Sequence, residues 1–257
     1  MTSNDLSPLY QNVDKLKGIG PKKASYLKNL GIKIVLDAFY ILPTRVIDRT
    51  QDIDFKTLEK GQVITTLVKI KKHRPPFNPR LPYVIECNKG SLIVNIIYFS
   101  MKGNFLRTKY PENKEFIISG KISFYKSNLS IAHPDYIEEV ENEQNLRRLE
   151  NIYPLTRGIS LKDIKKIING GKDYINNFDE WLNERLISKH QFYSFEDSLK
   201  KIHFPDNLQE VDKKEVFRKR LAVDELVSNY FAIRYLKEKT KKKLESLNLD
   251  YSNQDKI

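Results

Sequence analysis

"QVITTLVKI" (62–70), "PYVIECN" (82–88), "SLIVNIIYF" (91–99), "EFIISGKISFY" (115–125) and "LSIAHPDY" (129–136) are five short runs rich in β-branched and aromatic residues. Turn formers such as Asn88-Lys89-Gly90 and Lys126-Ser127-Asn128 separate them, which predicts strands joined by tight connections. The longest gap, "SMKGNFLRTKYPEN" (100–113), lies between the third and fourth runs, where a five-stranded OB-fold places a helix or a long loop. The fold expected is therefore α+β, a five-stranded OB-fold Greek-key barrel over residues 61–145.

Both flanks read as helical. Before the barrel, residues 1–60 carry Ala24, Leu27 and Leu30 on one helical face and Val35, Leu36 and Phe39 on another, closed by Pro43. After it, residues 146–257 include "NFDEWLNERLI" (177–187), "SFEDSLKKIHFP" (194–205) and a long periodic stretch over 213–247. Asp179-Glu180 is expected to open a helix, and Asp224-Glu225 to lie inside one. A helical linker is the reading for the whole C-terminal segment.

The chain has 257 residues, 45 Lys and Arg against 33 Asp and Glu, and a net charge of +12. Such a balance points to a polyanionic partner, nucleic acid before an anionic membrane surface. No run approaches the roughly 18 apolar residues of a membrane span, and "MTSNDLSPLY" lacks the plan of a signal peptide, so the cytoplasm is the expected location. One cysteine, Cys87, cannot form an internal disulfide, and His73, His133, His190 and His203 show no metal-ligand spacing with it. Neither a metal nor a catalytic residue is expected.

Between Lys60 and Tyr136 thirteen basic residues face four acidic ones, so a net +9 of the total +12 falls on the barrel. Phe77, Tyr83, Tyr98, Phe99, Phe105, Tyr110, Phe124 and Tyr125 are interleaved with this charge. Cations that neutralise phosphates beside aromatic faces that stack on unpaired bases describe a single-strand or fork reader. Most aromatics in β-runs belong to the core, however, and alternation sends only one of Tyr98 and Phe99 outward.

"LKGIGPKKASYLKNLGI" (16–32) sets a Gly-Ile-Gly bend between two helix-like stretches. It reads as a helix-hairpin-helix in which Gly18 and Gly20 admit a phosphate to backbone N–H groups and Lys22 and Lys23 reinforce the contact. It reads equally as a plain corner, with Gly18 ending one helix and Pro21 starting the next. Arg45 and Arg49 likewise admit a phosphate-binding role, but Asp48 as an acid between two arginines favours a buried network in which Asp48 holds Arg49. His133, before Pro134, is expected to end the fifth strand as a packing or hydrogen-bonding residue.

These blocks, with "LDAFYILPTRVIDRT" (36–50), "SGKISFYKSNLSIAHPDY" (119–136), "IYPLTRGIS" (152–160), "KIHFPDN" (201–207) and "KRLAVDELV" (219–227), resemble in order the amino-terminal half of RecG-type ATP-dependent DNA helicases. The resemblance spans roughly Val13 to Tyr235. It implies an OB-fold wedge that splits DNA at replication forks and Holliday junctions, in repair and recombination, with a helical linker to a two-lobed motor. No Gly-x-x-x-x-Gly-Lys-Ser/Thr occurs: Gly120-Lys121 and Gly171-Lys172 lack both the upstream glycine and the following hydroxyl. The chain is thus expected not to hydrolyse ATP by itself and to be a truncated or split member of the family. ATP and Mg²⁺ belong with the motor.

The resemblance places fork-stacking aromatics at the end of the third barrel strand and shortly after it; Ile97 and Met101 are the matching positions here, so Tyr98, Phe99 or Phe105 would have to supply a face. The expected wedge surface comprises Ile97, Tyr98, Phe99, Met101, Lys102, Phe105, Lys121, Lys126, Lys71, Lys72, Arg74 and Arg80. Arg157 stands where the family usually has an acid. Partners expected are forked or junction DNA, and alternatively a separately encoded helicase motor or repair protein, bound by a monomer with no membrane involved; general single-strand or RNA binding is a further alternative.

Overall fold

The first β-branched run continues past its apolar stretch into a twelve-residue strand, Val63–Arg74. The computed structural model describes residues 5–52, 54, 58–78, 80–99, 103–125 and 128–254. The strands are β1 (Arg45–Asp48), β2 (Val63–Arg74), β3 (Tyr83–Lys89), β4 (Leu92–Tyr98), β5 (Glu115–Tyr125), β6 (Asn128–Ala132), β7 (Tyr136–Glu139) and β8 (Leu149–Ile152). The helices are α1 (Pro21–Leu27), α2 (Gly103–Lys109), α3 (Glu143–Leu146), α4 (Leu161–Gly171), α5 (Glu184–His190), α6 (Phe195–His203), α7 (Leu208–Asp212) and α8 (Lys214–Gln254).

Strands β2 to β6 close on themselves. β2 pairs antiparallel with β3 and with β5, β3 with β4 and β5 with β6, while β4 and β6 run parallel. This is the expected five-stranded barrel, with α2 in the expected gap between its third and fourth strands. Alternation turns Ile64, Val68, Ile85, Cys87, Val94, Ile96, Ile118 and Ile131 into one core. Each fully buried Ile or Val there contributes about 1.5–3 kcal/mol. A strict period of two would also drive Lys72 inward after Ile70. A bulge between Ile70 and Lys72 resets the register, so Lys72 lies opposite Glu86 on the outside and His73 points in, opposite Ile85. There His73 Nε2 donates to the Tyr110 carbonyl at 2.7 Å and Nδ1 accepts from the Tyr83 hydroxyl at 3.0 Å.

Two pairings go beyond the expected barrel. β7 adds to β5, and β1 forms a ribbon with β8, so the start of the segment read as wholly helical is in fact a strand. A four-residue strand is too short to show its period. Arg49, just beyond β1, is buried: Nε donates to Glu150 Oε2 at 2.5 Å, Nη1 to Ser119 Oγ at 2.7 Å and Nη2 to Asp135 Oδ2 at 3.0 Å. Its guanidinium also lies 4.9 Å from the Tyr136 ring, whose hydroxyl donates to Glu150 Oε1 at 2.6 Å. The buried network is as expected, but Asp48 is not its acid. Neighbours on an extended chain point to opposite sides, and Asp48 instead accepts from the backbone N–H and hydroxyl of Thr50.

The chain forms two compact units, Arg45–Ile152 and the combination of Met1–Thr44 with Tyr153–Ile257. In the second, Leu9, Ile19, Leu27 and Phe39 share a core with Ile164, Ile167, Leu199 and Phe217. The two helical flanks therefore contribute to one core. α4 starts in a capping box, Ser160 accepting from the Asp163 N–H while Asp163 accepts from the Ser160 N–H. Before Gly18 the described residues form two short 3₁₀ turns, Ser7–Tyr10 and Val13–Lys15, where a helix was expected. The Val13 N–H is taken by the Lys33 carbonyl and the Val35 N–H by Gln11, ties that stop a helix from propagating. Asp179-Glu180 does not open a helix either. Glu180 precedes α5 and accepts from the Leu182 and Phe195 N–H groups and from Arg220, which is wholly buried and also holds Asp224.

Candidate nucleic-acid interface

Strand register decides which candidates meet. Arg74 lies opposite Val84, Tyr83 opposite Tyr98, and Ile97 beside Ala132. The ends of β2, β4 and β6 and the start of β3 therefore share one end of the barrel, where the loop 75–82 projects and α2 follows. Arg74, Arg80, Phe99 and Phe105 collect there. Lys121 lies opposite Val63, at the far end of β2, so it is separated from them by the height of the barrel. Met101, Lys102 and Lys126 lie outside the described residues.

At the tip of β4, alternation and burial separate three adjacent candidates. Ile97 is buried on the outer side of the strand. Tyr98 points into the core, where desolvation, assisted by the Tyr110 charge and by a hydrogen bond that the Tyr98 hydroxyl donates to Tyr110, pushes its phenol above the usual range. Its ring face is closed off. Phe99 is 52 % exposed and is held from beneath: its backbone N–H donates to His133 Nε2 at 3.1 Å and its ring tilts over the imidazole at 5.7 Å. His133 is fixed in turn by its own N–H to the Ile97 carbonyl and adopts a positive φ of 46°. Of the three, Phe99 alone offers a face. On α2, Phe105 is half exposed with Lys109 Nζ 5.7 Å over its ring.

The cations divide into engaged and open ones. Lys71 Nζ lies 3.0 Å from Glu86 Oε1, and Arg74 pairs with the other oxygen of the same carboxylate. The Lys71 hydrogen bond is the main cause that holds the buried Glu86 below the usual carboxylate range, outweighing desolvation, with the Arg74 charge assisting. Lys72 and Arg80 are exposed and form no ion pair among the described residues.

In the helical unit, Gly18 sits at φ +84°, a conformation that glycine adopts without strain, and Gly20 caps α1 in an extended conformation. Lys22 is exposed, but Lys23 donates to Asp163 Oδ1 at 2.6 Å. Burial raises the Asp163 carboxyl, and the bonds from Lys23 and Ser160 outweigh that effect and bring it below its usual range. A Cβ on Gly18 would come within 2.7 Å of Lys166 Nζ, so the second cation at the bend is Lys166, which the linear order hides. Among the described residues no His, Cys, Asp and Glu cluster could hold a metal ion, and no helix is long and apolar enough to cross a membrane.

The family model of the RecG wedge domain matches residues 12–175. The chain belongs to the RecG wedge domain family. It is 24 % identical over 254 residues to the ATP-dependent DNA helicase RecG of Aquifex aeolicus, covering 94 % of this chain and 32 % of that protein. With the ATP-dependent DNA helicase RecG of Thermotoga maritima it shares 28 % identity over 240 residues, 91 % of this chain and 30 % of the relative. The chain thus spans about a third of the length of the curated relatives it matches. A solved structure of RecG bound to a three-way DNA junction superposes with a TM-score of 0.67 at 26 % identity, over 85 % of this chain and 30 % of that one. The family match takes in the barrel unit, Arg45–Ile152, and part of the helical unit. Sequence reasoning gave no wedge role to two residues it had noted: Glu86, the acid that engages Lys71 and Arg74, and Phe77, counted among the interleaved aromatics but not placed on the wedge surface, whose ring is 94 % exposed between Pro76 and Asn78. Pro75-Pro76 before Phe77 was the visible signal for the second; the first becomes visible only once the register is known.

Proposed function

We propose that this chain is the branch-reading wedge of a RecG-type helicase: it binds replication forks and Holliday junctions in the cytoplasm, as a monomer and without a cofactor of its own, in DNA repair and recombination. ATP hydrolysis is supplied by a helicase motor whose P-loop is not among these 257 residues. The observation that carries this reading is the half-exposed Phe99, braced by His133 at the barrel end that also gathers Arg74, Arg80 and Phe105. Cations at that end supply affinity through phosphate, and an exposed ring supplies preference for unpaired bases. The RecG relative bound to a three-way junction supports the same substrate class.

Fluorescence anisotropy with a labelled three-way junction and a duplex of equal length is the test. Tighter binding to the junction, with affinity falling steeply as salt rises, is expected; equal binding to both contradicts the reading. A second reading rests on α8, where Leu226, Tyr230, Phe231, Ile233 and Leu236 are each more than half exposed. In it the helical unit docks on the helicase motor, and this chain serves to carry the wedge. Co-elution with a RecG motor fragment, without junction binding by the chain alone, is the outcome that would favour it.

A further inference from the structure

We infer that Phe77, at the tip of the loop joining β2 to β3, is a base-stacking residue of the wedge, taking up an unpaired nucleobase at the branch point together with Phe99. The inference rests on the proposed junction binding and adds a residue that the position match at Ile97 does not indicate. The ring is 94 % exposed, so the fold gains nothing from burying it. The described residues on either side of it are restrained. Pro75 and Pro76 restrict the chain before it, and beyond it Asn78 makes a turn, its carbonyl accepting from the Leu81 N–H at 2.9 Å and its side chain from the Arg80 N–H at 2.9 Å. A ring whose chain neighbours are restrained in this way loses less conformational freedom on binding.

Its surroundings fit one occupant. Arg80 carries an exposed side chain suited to phosphate, Arg74 before the loop is exposed but held by Glu86, and the register Tyr83↔Tyr98 brings the loop base beside Phe99. Among the described barrel residues, Phe77, Phe99, Phe105 and Phe124 are the phenylalanines more than half exposed, and the first three lie at this end. Rings and cations alternating at a single end match a DNA strand whose bases have left the duplex, offering a π-face and a phosphate at each step.

The test places 2-aminopurine at the branch point of a three-way junction and follows its fluorescence and the junction affinity for the wild-type chain, Phe77→Ala, Phe77→Leu and Phe77→Trp. Stacking predicts quenching by the wild type, loss of quenching and about tenfold or greater weakening in Phe77→Ala, a similar loss in Phe77→Leu, and recovery in Phe77→Trp. Duplex affinity and salt dependence should be unchanged in all three. A junction preference that survives Phe77→Ala with quenching intact overturns this inference alone. A wild-type chain indifferent to branching overturns the functional reading, and this inference with it.

Discussion

Replacing Arg49 by Met should cost the barrel unit about 3–5 kcal/mol, because it strands a buried carboxylate. Both side chains of the Arg49–Glu150 pair are almost wholly buried, at 3 % and 2 % exposure. Without the guanidinium, Glu150 keeps the Tyr136 hydroxyl, and Ser119 and Asp135 lose one donor each. The pair itself adds far less than its loss costs, since desolving two charges offsets most of their attraction. Changing Glu150 to Met as well should therefore return stability to within about 1–2 kcal/mol of the wild type. Urea denaturation of the wild type, both single variants and the double variant, followed by circular dichroism, measures the cycle. A cost below about 1 kcal/mol for Arg49→Met, or a double variant no better than that single one, would refute the argument.

Four further outcomes follow from other parts of the molecule. Burial pushes His203 down to about 4 from 6.5, against the opposing hydrogen bond to the Phe39 carbonyl, so the unfolded chain takes up the proton first. Stability is complete above pH 6.5 and should fall by on the order of 3 kcal/mol as pH drops to 4, a loss that a melting-temperature series on His203→Gln should show flattened. In α4, Gly170→Ala meets nothing within 4 Å and should stabilise by about 0.5–1 kcal/mol, whereas Gly171→Ala would set a Cβ 2.6 Å from the Phe39 ring and should destabilise by about 1–3 kcal/mol in thermal melts. Glu86→Gln releases Lys71 and Arg74, so junction binding should tighten several-fold at low salt and the slope of log affinity against log salt steepen by about 1–2. Tyr98→Ala should lower the melting temperature because it empties a core position, while Phe99→Ala should leave it nearly unchanged and weaken the junction complex.

The barrel was legible because its five runs are long enough to show a period of two and the gap at 100–113 sits where the helix falls. What escaped were features that depend on pairing. β8 has four residues, no repeat to read, and gains its identity from β1. The Ile70–Lys72 bulge is invisible until β3 supplies the register, and with it the position of Glu86 opposite Lys72. At the N-terminal hairpin, apolar spacing looked helical, yet backbone bonds between residues 11–13 and 33–35 hold the first half in a 3₁₀ turn. Alternation correctly allowed only one exposed residue of Tyr98 and Phe99. That His133 braces Phe99 required knowing that β6 runs parallel to β4.

The central claim, that one end of this barrel reads branch points, is tested most directly by the ratio of duplex to junction dissociation constants at a single salt concentration, for the wild type and for Phe99→Ala. A ratio well above one that falls toward one in Phe99→Ala, with duplex affinity unchanged, is the predicted result. A ratio of one in the wild type, or a preference that the substitution leaves intact, would contradict it.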